Sequence, residues 1–452
     1  MKKIFSIFAL ILAASTFVAC SNEEDDIFSQ SAAERLNAAS DLYSSRLTAQ
    51  PNGWAMQLYP TTQDKAPYGT GYLVLMRFHP NHQVDVAMNN LLTNNVYQSD
   101  SSVWDVITDD GPVLSFDTHN SVMHKFSDPD DVPQTGTSKD ANDETGTGIG
   151  GDFEYIIVDA PEDASYMMLK GKKRGTYNLL TPIEVGVDYE SYLSEVNGFM
   201  ADKFSSSYPN GALLILGDSI FHFDGASDGV PSIYGLDADE VTSARFNPFV
   251  ITKRGNDFYL RFRDALTVSG DSTEQEFKYD SIADKFYGVN DTTNAIAGYY
   301  KARFVGEQMN NGHRFQLTSN SEMGPKVRAA LDQVISDFRD RRFTFQNINI
   351  QKNDSSYQFV INWRQNRNAR ASRVYGATVQ ITGNESLNIT YTGETNSAGE
   401  QLLSVVPSVR TLFETLAGSF NTAASISNFN LTQIRFVSTT DPDVWYDVNY
   451  NL

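Results

Sequence analysis

Apolar positions along this chain recur with two different periods. Leu36, Ala39, Leu42, Tyr43 and Leu47 fall at helical spacing, and Ser31 with Glu34 fits a capping box, so a helix is expected over 31–48. "PNG" at 51–53 stops it. The period then becomes two. Trp54, Met56 and Leu58 alternate with Ala55, Gln57 and Tyr59; Tyr72, Val74, Met76 and Phe78 form a second alternating face, and "HPNH" turns the chain into "QVDVAM". "SVWDVI", "PVLSFD" and "VMHKF" follow around a "DDG" turn at 109–111. Residues 127–151 are rich in Asp, Gly and Thr and read as a long loop, after which "DFEYIIV", "SYMMLKGK" and "TYNLL" resume the strand pattern.

A second amphipathic helix is expected over 188–204, capped by Asp188 and carrying Tyr189, Tyr192, Leu193, Val196, Phe199, Met200 and Phe204. The strands "ALLILGDSIFHF", "ARFNPFVITKR", "DFYLRFR", "EQEFKYD" and "KFYGV" follow. Gly324-Pro325 opens another helix with Val327, Leu331, Val334 and Phe338 on one face. Four antiparallel strands, a helix bearing Val409, Leu412, Phe413 and Leu416, and a last hairpin complete the pattern. The expected class is mostly β (α+β): antiparallel β-sandwich or meander domains with a few flanking amphipathic helices. The aromatic content, 28 Phe and 22 Tyr, fits strands better than helices.

Charge divides the chain. The net charge is −21, yet residues 310–452 hold 13 basic and 12 acidic side chains, while 21–309 hold 20 basic and 44 acidic. The break supports a domain boundary near 305–325. The acidic balance excludes nucleic acid as an expected partner, because phosphate binding requires a basic footprint.

The N-terminus places the protein. Lys2 and Lys3 precede an apolar run from Ile4 to Val18, too short to span a bilayer, which needs about 20 residues. The sole cysteine, Cys20, follows at once. A lone cysteine in an exported chain has no disulfide partner. The "VAC" core resembles the bacterial lipoprotein signal, which implies lipid attachment at Cys20 and anchoring to the outer membrane. Glu23, Glu24, Asp25 and Asp26 form a charged spacer; in lipoproteins of the Bacteroidota type such acids resemble an export signal to the cell exterior.

"AAERLNAASDLY", "PNGWAMQLYP", "GTGYLVLMRF", "GPVLSFDTHNSVMHKFSDP" and "LKGKKRGTYNLLTPI" resemble a Bacteroidota lipoprotein family, domain of unknown function 4302, over about residues 31–185. The family carries no assigned catalytic residues. The resemblance implies a role beside an outer-membrane transporter of nutrient uptake. The expected organisation is a signal peptide (1–19), a lipidated acidic tether (20–30), an N-terminal β-rich domain (31–185), a middle β-rich region (186–305) and a C-terminal α+β domain (310–452).

Several motifs invite chemistry. "LGDSI" and "GASDG" place Ser219 and Ser227 in nucleophile-like settings, but neither has a histidine at the spacing that chemistry requires. His79 and His82 flank a turn without a metal-ligand pattern. The loop 127–151 offers oxygen ligands to calcium, though Thr145 stands where an EF-hand needs glycine; no other cofactor is expected. Arg364, Arg367, Arg370 and Arg373 recur every third residue between two strands, and read as a candidate anion-binding loop or as partners for the acidic first half. The function expected is therefore a non-enzymatic accessory or ligand-binding module of nutrient uptake. The alternatives are a structural or adhesive β-sandwich and, behind it, a serine hydrolase. An aromatic-lined pocket favours the first, an open edge strand the second, a histidine bonded to either serine the third.

Overall fold

The structure is a computed structural model that describes residues 31–62, 69–109, 111–127, 149–204, 211–236, 245–365 and 369–451. Helix α1 (Ala32–Thr48) begins at the capping box the sequence shows: the Ser31 hydroxyl accepts from the Glu34 amide, and the Glu34 carboxylate accepts from the Ser31 amide at 2.9 Å. Leu47 at its end is fully buried, and its carbonyl accepts a hydrogen bond from the Trp54 indole at 2.8 Å.

Eight strands then form a closed antiparallel barrel: β1 (Trp54–Leu58), β2 (Tyr72–Phe78), β3 (Gln83–Met88), β4 (Gln98–Asp109), β5 (Gly111–Phe116), β6 (Glu154–Asp159), β7 (Met167–Gly171) and β8 (Tyr177–Pro182). Closure comes from β1, whose Met56 pairs with Val74 on one side and with Leu180 on the other. Trp54, Met56, Leu58, Val74 and Met76 point inward. Ala55 and Leu75 point outward yet are buried too, because they join the core of the next sheet.

Helix α2 (Tyr189–Lys203), capped by the Asp188 carboxylate, packs Tyr192, Leu193 and Val196 onto that sheet. Its strands are β9 (Ala212–Leu216), β10 (Ser219–Asp224), β11 (Ser232–Gly235), β12 (Arg245–Phe246), β13 (Phe249–Arg254), β14 (Asp257–Ser269), β15 (Ser272–Asp280), β16 (Lys285–Gly288) and β17 (Ala295–Gly298). The order is β12-β11-β10-β9-β17-β16-β15-β14-β13, an open antiparallel sheet.

Helices α3 (Lys301–Asn310), α4 (Pro325–Asp340), α5 (Ser397–Val405) and α6 (Ser408–Leu416) accompany a second closed barrel. It comprises β18 (Arg314–Thr318), β19 (Phe343–Asn353), β20 (Ser356–Gln365), β21 (Ala369–Gly383), β22 (Ser386–Thr395), β23 (Gly418–Ala424), β24 (Gln433–Ser438) and β25 (Trp445–Asn451). The apolar faces of α4 and α6 share one core with its inward side chains; Phe413 stacks on Phe359 with ring centroids 5.0 Å apart.

The expected class, mostly β with flanking helices, holds. The first and third meanders close into barrels and the middle one stays open, where the sequence pattern alone had also allowed stacked sandwiches.

Two junctions join the three bodies. Between the first barrel and the sheet, Tyr59 donates its hydroxyl to the Arg261 carbonyl at 2.9 Å. Gly71 allows the close approach, since a Cβ there would sit 2.5 Å from a Val250 methyl and 2.6 Å from the Tyr59 ring. Between the sheet and the third body, Asp284, held by Lys203 of α2 at 2.8 Å, accepts from the Ser427 hydroxyl at 3.0 Å and the Asn428 amide at 2.6 Å.

Candidate functional site

The first junction leaves a cleft of about 860 Å³ between the outer wall of the barrel and the edge of the sheet. Strand alternation decides what lines it. Asn178 and Leu180 of β8 are fully buried, so Tyr177, Leu179 and Thr181 face the cleft, joined by Met168 of β7 and Val158 of β6. On the opposite wall, Leu260 and Phe262 of β14 enter the sheet's core, which turns Arg261 and Arg263 to the cleft beside Arg254 of β13 and Glu276 of β15. One wall is apolar with an exposed phenol ring; the other is charged.

Most of those charges are matched. Arg254 grips both oxygens of Glu276 and lies 4.2 Å over the Tyr259 ring. Arg263 holds Asp264 at 2.9 Å. Asp159 accepts from the Tyr166 hydroxyl, which pushes that phenol's pKa up. Arg261 is different. Glu276 is its direct cross-strand partner, but both oxygens of Glu276 serve Arg254. Among the described residues its guanidinium meets no acceptor, and burial lowers its pKa despite the nearby Tyr59 and Glu276. Thr181 is only 6 % exposed and its hydroxyl also has no partner. Gln57, which pairs with Leu179 across β1 and β8, is fully buried with neither amide atom hydrogen-bonded. Unpartnered buried polar atoms are rare in proteins, and Thr181 and Gln57 place three of them on adjacent strands β8 and β1.

The residues singled out in the sequence lie elsewhere. Cys20, Glu23, Glu24, Asp25, Asp26 and Arg367 are outside the described residues, as is most of the acidic loop (128–148), with its calcium candidate. The arginine segment is less of a loop than expected. The ladder of β20 and β21 runs on to Gln365↔Ala369, so Arg364 and Arg370 are direct cross-strand partners on the exposed face. Arg373 turns to the other face, over the Trp363 ring at 5.5 Å, and donates to the Ala398 carbonyl at 3.1 Å. None of these three pairs with a carboxylate among the described residues, so they do not tie the acidic first half down.

Ser219 opens β10 and Ser227 sits in a one-turn 3-10 segment; both are exposed, and neither is hydrogen-bonded to a histidine. His222 instead meets the Leu236 carbonyl at 3.1 Å. His79 is spent on Asp85 at 2.7 Å, and no group of three His, Cys, Asp or Glu converges as a metal site among the described residues. The sequence reading missed Arg261 and Thr181. The one signal was "YLRFR", in which charge takes every second place of an apolar strand.

Two closed meander barrels on either side of an open sheet, with a half-charged cleft at the first junction, define a modular β-rich protein whose candidate site lies between bodies rather than inside one. Residues 24–281 match the family model described as Domain of unknown function (DUF4302), more than half of the chain, and the protein belongs to that family. The match runs beyond residue 185 and takes in the whole cleft. No curated protein matches the chain. Similar solved structures include the DNA polymerase III beta subunit of Thermotoga maritima, 10% identical over 92% of this chain and 97% of that one, with a TM-score of 0.14. Intact Ap-TbpB, with N and C lobes, is 8% identical over 85% and 68%, at 0.12. A transferrin-binding protein B mutant from Haemophilus parasuis is 7% identical over 88% and 75%, also at 0.12. At these scores the likeness carries no argument about fold or function.

Proposed function

We propose that the protein is a lipid-anchored binding module of the outer membrane's exterior face, taking up a small ligand in the cleft and working beside a nutrient transporter. The observation that carries the binding reading is the cleft itself. Its volume falls within the roughly 300–1,000 Å³ of small-molecule sites, and it combines an apolar wall with a few placed polar groups. The anchor rests on Cys20 and the acids that follow it; the transporter rests on the family resemblance. The adhesive alternative has less to stand on: both barrels are closed, and the open middle sheet ends at β12, only two residues long, and at β13, whose Val250 lies against Gly71 of the first barrel.

The test is native mass spectrometry of the protein after incubation with a small-molecule extract of its growth medium. Wild type should retain discrete adducts that a cleft-filling Leu179→Trp variant loses. Identical adduct spectra for the two would remove the cleft as the binding site.

A further inference from the structure

We infer that the cleft selects an organic anion, seating an oxyanion head on Arg261 and Thr181 and an apolar body against Tyr177, Leu179 and Met168. This rests on the ligand-binding reading above and adds the chemistry of the ligand.

Arg261 and Glu276 are opposed on β14 and β15, the usual arrangement for a cross-strand ion pair. Arg254 takes Glu276 instead, in a two-point grip fixed by stacking on Tyr259. The other lining carboxylates are engaged as well, Asp264 by Arg263 and Asp159 by Tyr166. A cationic fork with five donors is thus held half-buried without an acceptor among the described residues. Leaving such a group desolvated is costly unless something pairs with it. A carboxylate, sulfonate or phosphate has the geometry to do so. Thr181, on the opposite wall of the cleft, supplies a donor that reaches no acceptor among the described residues. The alternating Tyr177 and Leu179 of the same strand offer the apolar surface beside it. A neutral ligand would satisfy the apolar wall and leave Arg261 as it is.

The inference separates binding from stability. If Arg261 served the fold, removing its charge would destabilise the protein. If it serves a ligand, Arg261→Met removes a half-buried charge that no carboxylate matches, so the thermal midpoint should stay or rise while anion binding falls.

The experiment uses two dyes that differ only in the anion: anilinonaphthalene sulfonate and the uncharged phenylnaphthylamine. Both are titrated by fluorescence into the full chain carrying Cys20→Ala, so that no acyl chain competes for dye. Arg261→Met, Arg261→Lys and Leu179→Trp are compared in the same background. Expected is sulfonate binding that weakens by about tenfold or more in Arg261→Met, the equivalent of one charge-assisted hydrogen bond, and less in Arg261→Lys. The neutral dye should bind both variants within about twofold of the parent, and the Arg261→Met midpoint should not drop. If both dyes bind, Leu179→Trp blocks both, and Arg261→Met treats them alike, the anion assignment is overturned and the cleft stands. If Leu179→Trp blocks neither, or no dye binds, the cleft reading fails and this inference with it. A fall in the Arg261→Met midpoint would make Arg261 a structural residue and overturn the assignment equally.

Discussion

Asp284→Asn should loosen the joint between the middle sheet and the third body. The Asp284 carboxylate takes Lys203 at 2.8 Å, the Tyr279 hydroxyl at 2.8 Å, the Ser427 hydroxyl at 3.0 Å and the Asn428 amide at 2.6 Å. Asparagine suits the test because it tolerates the left-handed φ of 46° that residue 284 adopts. Removing one partner of a fully buried ion pair costs about 3–5 kcal/mol, largely because the other charge is stranded. Here the Lys203 and Asp284 side chains are 8% and 18% exposed, and Lys203 keeps Asp202 at 3.0 Å. The discounted loss is about 2–3 kcal/mol, or roughly 4–12 °C in the midpoint of the affected transition. Calorimetry measures it directly. Lys203→Met combined with Asp284→Asn strands no charge and should recover at least half of the loss. The pH dependence has a definite sign. Burial raises the Asp284 pKa, but the hydrogen bonds from Lys203, the Asn428 amide and Tyr279 outweigh it and hold the pKa below the ordinary carboxylate value. A depressed folded-state pKa contributes stability above the unfolded value, about 3.9, and that contribution disappears as pH falls through the folded value. Asp284→Asn should therefore flatten the acid limb of the stability profile. A loss under about 0.5 kcal/mol, or a double variant as weak as the sum of its parts, would refute the reasoning.

Four further outcomes are expected. Cys20→Ala should abolish lipid labelling and move the protein out of the membrane fraction, and changing Glu23, Glu24, Asp25 and Asp26 together to Ala should keep the label but reduce protease shaving on intact cells. Arg364→Gln should stabilise the third barrel by a few tenths of a kcal/mol at low salt, because it relieves direct cross-strand repulsion with Arg370, and the gain should vanish at high salt, read as a pair of melting curves. Arg435→Met should cost about 3 kcal/mol in urea unfolding, since Asp447, fully buried and held by Arg435 at 2.7 and 2.9 Å, would be left alone in the barrel wall.

What was legible in the sequence was local. The capping box at Ser31, the Asp188 cap and the Gly324-Pro325 start each act within one helical turn, and each helix begins where those residues place it. Helix α3 escaped notice for the same reason. Tyr300 precedes it without a side-chain cap, so no start signal exists, and its apolar residues Phe304, Val305 and Met309 become informative only once the third core surrounds them. The arginine segment misled in the opposite sense. Its polar residues read as a loop, but a ladder needs only backbone groups, and β20 and β21 stay paired as far into it as Gln365 and Ala369. Closure was invisible because pairing of β1 with β8 depends on contacts between segments far apart in the chain.

The cleft was hidden by the rule that made the strands readable. Alternation assigns one face of a strand to the core and leaves the other to solvent, so Arg261 and Arg263 read as outer-face residues, while "TYNLL" is apolar on both faces and leaves Tyr177, Leu179 and Thr181 unassigned. That assignment is correct for each sheet taken alone. It fails only where two outer faces meet, and nothing in either strand's pattern says that they do. The barrel cores are filled by their own side chains, which leaves the outer walls as the surface free to vary in chemistry without cost to packing. A site at the junction of two such walls can then hold an unmatched guanidinium that neither core would tolerate. The family-matched span, 24–281, contains both walls, whereas the third barrel with its exposed arginine pair lies beyond it. Binding at the cleft thus needs only the first two bodies to be joined correctly, and the Asp284 joint, which ties on the third, should be separable from it.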